Sequence, residues 1–121
     1  MEIGMAVKDI AFVAYSVADV PRAVAFYRDV VGLKPSQSFG EHWAEFDVGN
    51  TTFGVGRGES IGITPGSQHS AAFEVDNAAA MRENFQTKGI KVSDLYESPV
   101  CFSCFVTDPD GNRFALHQRK F

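Results

Sequence analysis

Three histidines and several carboxylates of this 121-residue chain could bind a metal ion or move a proton. His69 and His117, together with Glu45 or Glu74, would form a chemically valid site for a divalent metal, because imidazole and carboxylate are common ligands of such ions. The alternative is that His117 is a solvated residue at a strand end and His69 an exposed linker residue. His42 has no partner visible in the sequence, which favours a surface residue.

Two cysteines, Cys101 and Cys104, have the C-x-x-C spacing of redox and zinc sites. Such a site needs a turn or a helix N-terminus that brings the two sulfurs together. Here the pair lies inside a predicted strand, where residues three apart point to opposite faces and lie about 10 Å apart. We therefore predict two buried free thiols. No serine has a histidine or aspartate at an informative spacing, so the sequence indicates no nucleophilic site.

The elements that must position these residues are organised around a turn at residues 107–112. Its Asp108-Pro109-Asp110-Gly111 sequence is typical of a β-turn, because proline fixes φ at one position and glycine accepts a positive φ at another. Apolar residues alternate with others on both sides of the turn. This pattern predicts a β-hairpin with one face against a core. The alternating residues are Phe102, Cys104 and Val106 before the turn, and Phe114 and Leu116 after it.

The chain contains the same unit twice. A strand at 9–17 precedes a helix that Asp19 can cap and that Gly32 ends. After a linker at 57–68 that is rich in glycine and proline, a second strand precedes a helix that Asp76-Asn77 can cap and that Gly89 ends. Three glycines at 54, 56 and 58 are only a weak indication of a phosphate loop, since neither a Gly-Lys-Ser/Thr sequence nor a helix start follows them.

Three short strands are predicted after each helix. They lie near 37–39, 43–48 and 51–56 in the first unit, and near 92–96, 101–107 and 113–117 in the second. The sequence therefore predicts an α+β fold in which tandem βαβββ modules, at 8–57 and 68–118, form one domain over 1–121. The modules are expected to build a curved, cup-shaped mixed sheet with the helices outside, which leaves one face of each sheet free.

The composition argues against several classes of protein. A net charge of −4 disfavours non-specific binding to nucleic acid or to an anionic membrane. No apolar run approaches the roughly 18 residues that a membrane span requires. The first eight residues lack the apolar core of a signal peptide, which favours a cytoplasmic protein. The 11 phenylalanines indicate an aromatic interior or cavity.

Three segments resemble the vicinal oxygen chelate superfamily, which contains glyoxalase, bleomycin-resistance proteins, fosfomycin-resistance enzymes and extradiol dioxygenases. They are VADVPRAVAFYRDVVGL at 17–33, FEV at 73–75 and FVTDPDGNR at 105–113. The resemblance covers nearly the whole chain and implies the same tandem βαβββ fold. It does not specify the function, because this fold hosts several chemistries.

Enzymes that this chain resembles hold a divalent metal inside the cup, with ligands from the first and last strands of each module. The resemblance places these positions at Phe12, Gly54, Ser70 and Ala115. None of these four residues is a strong metal donor. The resemblance therefore implies that the inherited metal site is absent and that the protein has no cofactor.

The positions depend on the register of each strand, since a slip of one residue turns every side chain to the other face. In the second module the neighbouring register would place His69 in the cup. The alternation of apolar residues favours Ser70, which shares its face with Glu74. In the first module, the neighbouring register would substitute Phe53 for Gly54.

The predicted cup has an aromatic and apolar wall with a few polar groups. Such a wall suits a flat aromatic or cationic organic ligand, through stacking and cation–π contact. The predicted ligand-binding residues are Phe12, Trp43, Phe105 and Ala115, with Ser70, Glu74, Ser103 and His117 as the polar groups.

This arrangement resembles the bleomycin-resistance type, which binds and sequesters a ligand without catalysis in a cup at a dimer interface. We therefore expect a metal-free homodimer that binds a small organic molecule. One alternative is a metal-dependent lyase or dioxygenase of the same superfamily with ligands relocated to His69, His117 and either Glu45 or Glu74. Another is a dimerising interaction module whose cup is filled by its own aromatic residues.

Overall fold

The computed structural model describes residues 12–61, 63–66 and 70–121. Within these ranges no helix is long and apolar enough to cross a membrane. The described residues contain three α-helices, α1 (Val20–Ala25), α2 (Gly58–Ile61) and α3 (Ala78–Thr87), and a π-helical segment (Phe26–Val31) continues α1. The strands are β1 (Phe12–Val17), β2 (Lys34–Phe39), β3 (Trp43–Val48), β4 (Thr51–Arg57), β5 (Ser70–Glu74), β6 (Tyr96–Glu97), β7 (Cys101–Thr107) and β8 (Arg113–Arg119).

The strands form two mixed sheets with the same topology. The first sheet has the order β1-β4-β3-β2 and the second has the order β5-β8-β7-β6. In each sheet the first strand of the module runs parallel to the last, and the other neighbours are antiparallel. A parallel pair requires a crossover connection, which begins in each module with a helix. This topology confirms the predicted α+β fold of two βαβββ modules.

The two longer helical stretches begin and end where the sequence predicts. Asp19 accepts a hydrogen bond from the backbone N–H of Arg22 at 3.0 Å, and Asn77 accepts one from Ala80 at 2.9 Å. These bonds satisfy N–H groups that have no partner inside the helix. Gly32 and Gly89 then leave the helices with φ values of 89° and 76°, which glycine adopts without a steric penalty. The π-helical segment was not predicted.

The core lies between the helix-side faces of the two sheets and consists largely of aromatic rings. Phe53 of the first sheet meets Phe73 of the second with ring centroids 5.4 Å apart. Phe73 in turn meets Phe114 at 5.3 Å, and Tyr27 packs against Phe53 at 5.0 Å. The aromatic interior predicted from the phenylalanine content is therefore present, and both modules contribute to it.

The turn between β7 and β8 joins the two modules through polar groups. Asp108 accepts a hydrogen bond from the Tyr27 hydroxyl at 2.8 Å, and the side-chain amide of Asn112 donates to the Ser16 carbonyl at 2.8 Å. Both turn side chains are almost fully buried. The Asp110 carboxylate lies 2.6 Å from the Arg22 guanidinium. The turn prediction is thus confirmed. The same turn residues also bind the first module, and the sequence did not predict these contacts.

Several local predictions were wrong. The strand expected at 92–96 is replaced by the two-residue strand β6 and an isolated bridge between Val92 and Val106. There the Ser93 hydroxyl accepts the N–H of Phe105 at 2.8 Å, so a side chain takes the place of a ladder carbonyl. The linker contains α2, a helix that begins at Gly58, the third of the glycines at 54, 56 and 58, and that the sequence did not predict. Cys104 is buried as expected, but Cys101 is only half-buried, and both are free thiols.

Replacing Tyr27 with Phe should lower the free energy of unfolding by about 1–3 kcal/mol, because buried Asp108 would lose a hydrogen-bond donor while the ring packing remains. Burial and the charge of Asp108 raise the pKa of Tyr27, so its hydroxyl remains a donor at any working pH. Urea denaturation measures the effect. Tyr96→Phe removes a hydroxyl from a ring that is 63% exposed and should change stability by less than about 0.5 kcal/mol. Equal losses in the two variants would contradict this role of Tyr27.

Candidate functional site

Each sheet has an open face that points away from the shared core. On the first sheet the strand register places Ala14, Gly54 and Glu45 side by side across β1, β4 and β3. Phe12 and Trp43 belong to the same face, as their positions in the strands require. Phe12 is 50% exposed, whereas the neighbouring core residue Tyr15 is 1% exposed. The alternation predicted for the first module, with Gly54 rather than Phe53 on the free face, is therefore present.

Trp43 occupies the centre of this open face because two glycines make room for it. A Cβ atom at Gly54 would lie 2.5 Å from the Trp43 ring, and one at Gly56 would lie 2.8 Å from it. The ring meets Phe12 edge-on with centroids 5.4 Å apart, and its Nε1 donates to Glu45 Oε2 at 2.8 Å. We call this arrangement of Phe12, Trp43 and Glu45 over Gly54 and Gly56 the Trp43 platform. It is an aromatic surface with one anionic edge.

The open face of the second sheet has a row of apolar residues beside a row of polar ones. Ala72, Ala115 and Phe105 lie opposite one another across β5, β8 and β7. Phe105 is 43% exposed. The neighbouring row contains, in strand order, Glu74, His117, Ser103 and Tyr96. The predicted residues of the second module thus share one face. Ser70 belongs to the same strand as Glu74, but its side chain lies outside the described part of the structure.

Glu74 and His117 form a hydrogen-bonded pair in the centre of this face. Glu74 Oε1 lies 2.7 Å from His117 Nδ1, and Oε2 accepts the backbone N–H of Arg119 at 2.8 Å. The N–H of Arg119, and secondarily His117, hold the pKa of Glu74 below its ordinary value of 4.5. The carboxylate is therefore ionised at neutral pH and orients the imidazole. The sequence placed both residues on one face, but only the pairing of β5 with β8 shows that they touch.

Phe12, Gly54 and Ala115, which the sequence resemblance assigns to metal ligands, do not fit a divalent ion. Phe12 and Ala115 carry no donor atom, and the space above Gly54 is filled by Trp43. In the described ranges, no three His, Cys, Asp or Glu side chains are grouped so that they could hold a metal. Two members of the alternative set, His117 and Glu74, are hydrogen-bonded to each other, whereas Glu45 lies on the other sheet and accepts from Trp43. His69, the third residue of the alternative set, lies outside the described residues.

A separate pocket of about 430 Å³ lies at the carboxyl ends of β1 and β4. Arg57, Glu59 and Ile63 contribute to its wall. None of the residues predicted for the ligand site lines this pocket, so a ligand on the Trp43 platform would not use it.

Comparison with known families identifies the chain. The model of the Glyoxalase/Bleomycin resistance protein/Dioxygenase superfamily matches residues 9–116. The chain belongs to this superfamily. The resemblance seen in the sequence motifs is thereby confirmed. Among curated protein sequences, no relative matches the chain.

Solved structures with the same fold belong to superfamily proteins with different functions. TnmS3, an antibiotic binding protein from Streptomyces sp. CB03234, has a TM-score of 0.79 and 22% identity, over 96% of this chain and 99% of its own. Lactoylglutathione lyase from Agrobacterium tumefaciens has a TM-score of 0.77 and 22% identity, over 91% and 92%. The fosfomycin resistance protein FosX from Listeria monocytogenes has a TM-score of 0.75 and 15% identity, over 93% and 94%. At these identities the comparisons establish the fold and leave the function to the site.

Replacing Gly54 with Ala should displace the Trp43 ring, because the new methyl group would lie about 2.5 Å from it. We expect a loss of about 1–3 kcal/mol in unfolding free energy and a shift of the tryptophan emission to longer wavelength. Since the chain has a single tryptophan, its emission reports on this residue alone. Gly49→Ala is the matched control: its φ is 58° and no atom lies within 4 Å of the added carbon. That variant should lose about 1–2 kcal/mol through backbone strain with no change in emission. Unchanged emission in the Gly54 variant would contradict the platform.

Proposed function

We propose that this protein binds a planar aromatic or cationic organic molecule on the Trp43 platform, without a metal, and that it sequesters or carries the ligand without transforming it. The observation that carries this proposal is the tryptophan ring held over Gly54 and Gly56 on an open face. The two glycines do not serve the packing of the core, because the Trp43 ring lies on the face of the sheet that points away from the core. The ring held over them provides a preorganised stacking surface, which lowers the entropy cost of binding.

The surroundings of the ring support the same class of ligand. Phe12 stands edge-on to Trp43, so a flat molecule could contact both rings. Glu45 is fixed beside the ring and would attract a cationic substituent. TnmS3, which shares the fold, is described as an antibiotic binding protein. This supports antibiotics as a first set of candidate ligands, and the Trp43 platform favours those with a planar aromatic group.

A homodimer is part of this proposal. In the single chain, several aromatic side chains on or beside the open faces are exposed to solvent. A second copy could cover them by placing its second sheet opposite the first sheet of its partner, which would enclose a cup. Exposed hydrophobic groups of this kind commonly mark an interaction surface. The exposed rings are Phe12 at 50%, Phe39 at 55%, Tyr96 at 63% and Phe105 at 43%.

Ligand binding should quench or shift the emission of Trp43. We would titrate the protein with 2-naphthoate, 2-naphthamide and 2-naphthylmethylammonium, and measure affinity by calorimetry in parallel. Phe12→Ala should weaken binding by about three- to tenfold, because it removes one ring of the platform. Phe121→Ala, which truncates a ring that is 92% exposed at the end of the chain, should have no effect. Absence of both a calorimetric and a fluorescence response to all three probes would refute the proposal.

The purified protein should contain no stoichiometric metal. Three or more converging donors are needed to hold a divalent ion tightly, and the inherited positions Phe12, Gly54 and Ala115 supply none. Elemental analysis of untagged protein, purified without chelator, is the measurement. Phe12→His alone should also bind no metal tightly, whereas Phe12→His, Ser70→His and Ala115→Glu together could create a site. Stoichiometric zinc, nickel, manganese or iron in the unmodified protein, lost on changing His69 or His117 to Ala, would favour the metal-dependent enzyme instead.

The protein should have the mass of a dimer by light scattering at micromolar concentration. Phe39→Asp should shift it toward the monomer, because it would place a charge beside the open face of the first sheet, where Phe39 pairs with Trp43. Phe121→Asp adds the same charge at a terminal residue and should leave the dimer intact. A monomeric unmodified protein would contradict the assembly.

A further inference from the structure

Arg113 differs from the other arginines in the described part of the chain because it has no carboxylate partner. Each of the others lies within 4.0 Å of an aspartate or glutamate. The chain has more acidic than basic residues, with a net charge of −4. An arginine left without a carboxylate in such a chain is therefore not explained by a shortage of acidic partners.

The Arg113 side chain is held in place by a ring instead of an acid. Its guanidinium carbon lies 4.4 Å from the centroid of Phe105, on the open face of the second sheet. Stacking on a ring orients the guanidinium plane and leaves its N–H groups free to donate at the edge. The backbone beneath is also fixed, because the carbonyl of Arg113 accepts the hydroxyl of the buried Tyr15 at 2.5 Å. The Arg113 guanidinium is thus oriented in advance, and no carboxylate in the described part of the chain neutralises its charge.

The residues beside Arg113 leave room for a ligand. Ala115 follows it on the same face of β8, and Ala72 lies opposite Ala115 on β5. The two methyl groups form a low floor between Arg113 and His117. The remaining charges on this face compensate each other, because Glu74 binds both His117 and Arg119. Arg113 therefore carries the uncompensated positive charge of the described open face.

We propose that Arg113 is an anion-binding subsite of the ligand site and that the ligand is a planar aromatic acid whose carboxylate it receives. This inference rests on the proposed function and narrows it to one class of ligand. A guanidinium can bind a carboxylate through two parallel N–H···O bonds, a geometry that a neutral amide or an ammonium group cannot match. In the proposed homodimer, the aromatic part of the ligand would lie between this alanine floor and the Trp43 platform of the second copy.

The test compares three probes of nearly equal shape: 2-naphthoate, 2-naphthamide and 2-naphthylmethylammonium. Calorimetry at low ionic strength should show that the naphthoate binds about ten- to a hundredfold more tightly than the amide. In Arg113→Met this preference should fall to within about twofold, and in Arg113→Lys part of it should remain. Arg119→Met is the matched control, because the guanidinium of Arg119 is already engaged by Glu74. That variant should keep the preference.

The outcomes separate this inference from the proposed function. Equal affinity for the naphthoate and the amide, or a preference that survives in Arg113→Met, would overturn the anion subsite while leaving aromatic binding in place. Failure of all three probes to bind would instead refute the proposed function. If Arg113→Met weakens the dimer in sedimentation equilibrium and leaves the probe preference unchanged, Arg113 pairs with a carboxylate of a second copy. That result would also overturn the subsite.

Discussion

The buried polar turn between β7 and β8 is the interaction on which the arrangement of both sheets depends. Asp108 and Asn112 belong to the second module, and their partners Tyr27 and Ser16 belong to the first. A buried polar group that loses its partner costs about 1–3 kcal/mol. Hydrophobic contacts between the modules would tolerate several relative orientations, whereas these hydrogen bonds are satisfied in one. The turn therefore determines how the aromatic core closes and, with it, where the open faces point.

Alternation along each strand places some aromatic residues in the core and others on an open face. Phe12 and Tyr15 lie in one strand, yet the first is half exposed and the second is buried in the core. The same division separates Phe105 from its neighbour Val106 on β7. Burial of the inner set stabilises the fold through apolar area removed from water. The aromatic residues on the open faces contribute little of that stabilisation. Their residue types can therefore suit the ligand or partner that covers these faces.

Most of the fold could be predicted because it depends on local patterns. Alternation fixed the faces of β1, β5 and β8, and capping residues such as Asp19 and Asn77 fixed the helix starts. The features that were missed depend on contacts between elements distant in sequence. The glycines at 54 and 56 suggested at most a weak phosphate loop, whereas the structure shows that they make room for Trp43. The sequence does not show that a ring thirteen residues from Gly56 lies over it, because this follows from the pairing of β3 with β4.

Stacking and metal binding compete for the same space in this site. A ligand side chain at position 54 would have to occupy the volume that the Trp43 ring fills, since even a Cβ there would lie 2.5 Å from the ring. Phe12, at another inherited position, contacts that ring instead of donating to an ion. The residues at these two positions therefore fit the platform and not an ion. In the proposed metal-free site, an anionic ligand would depend on cationic side chains, and Arg113 offers one that is already oriented.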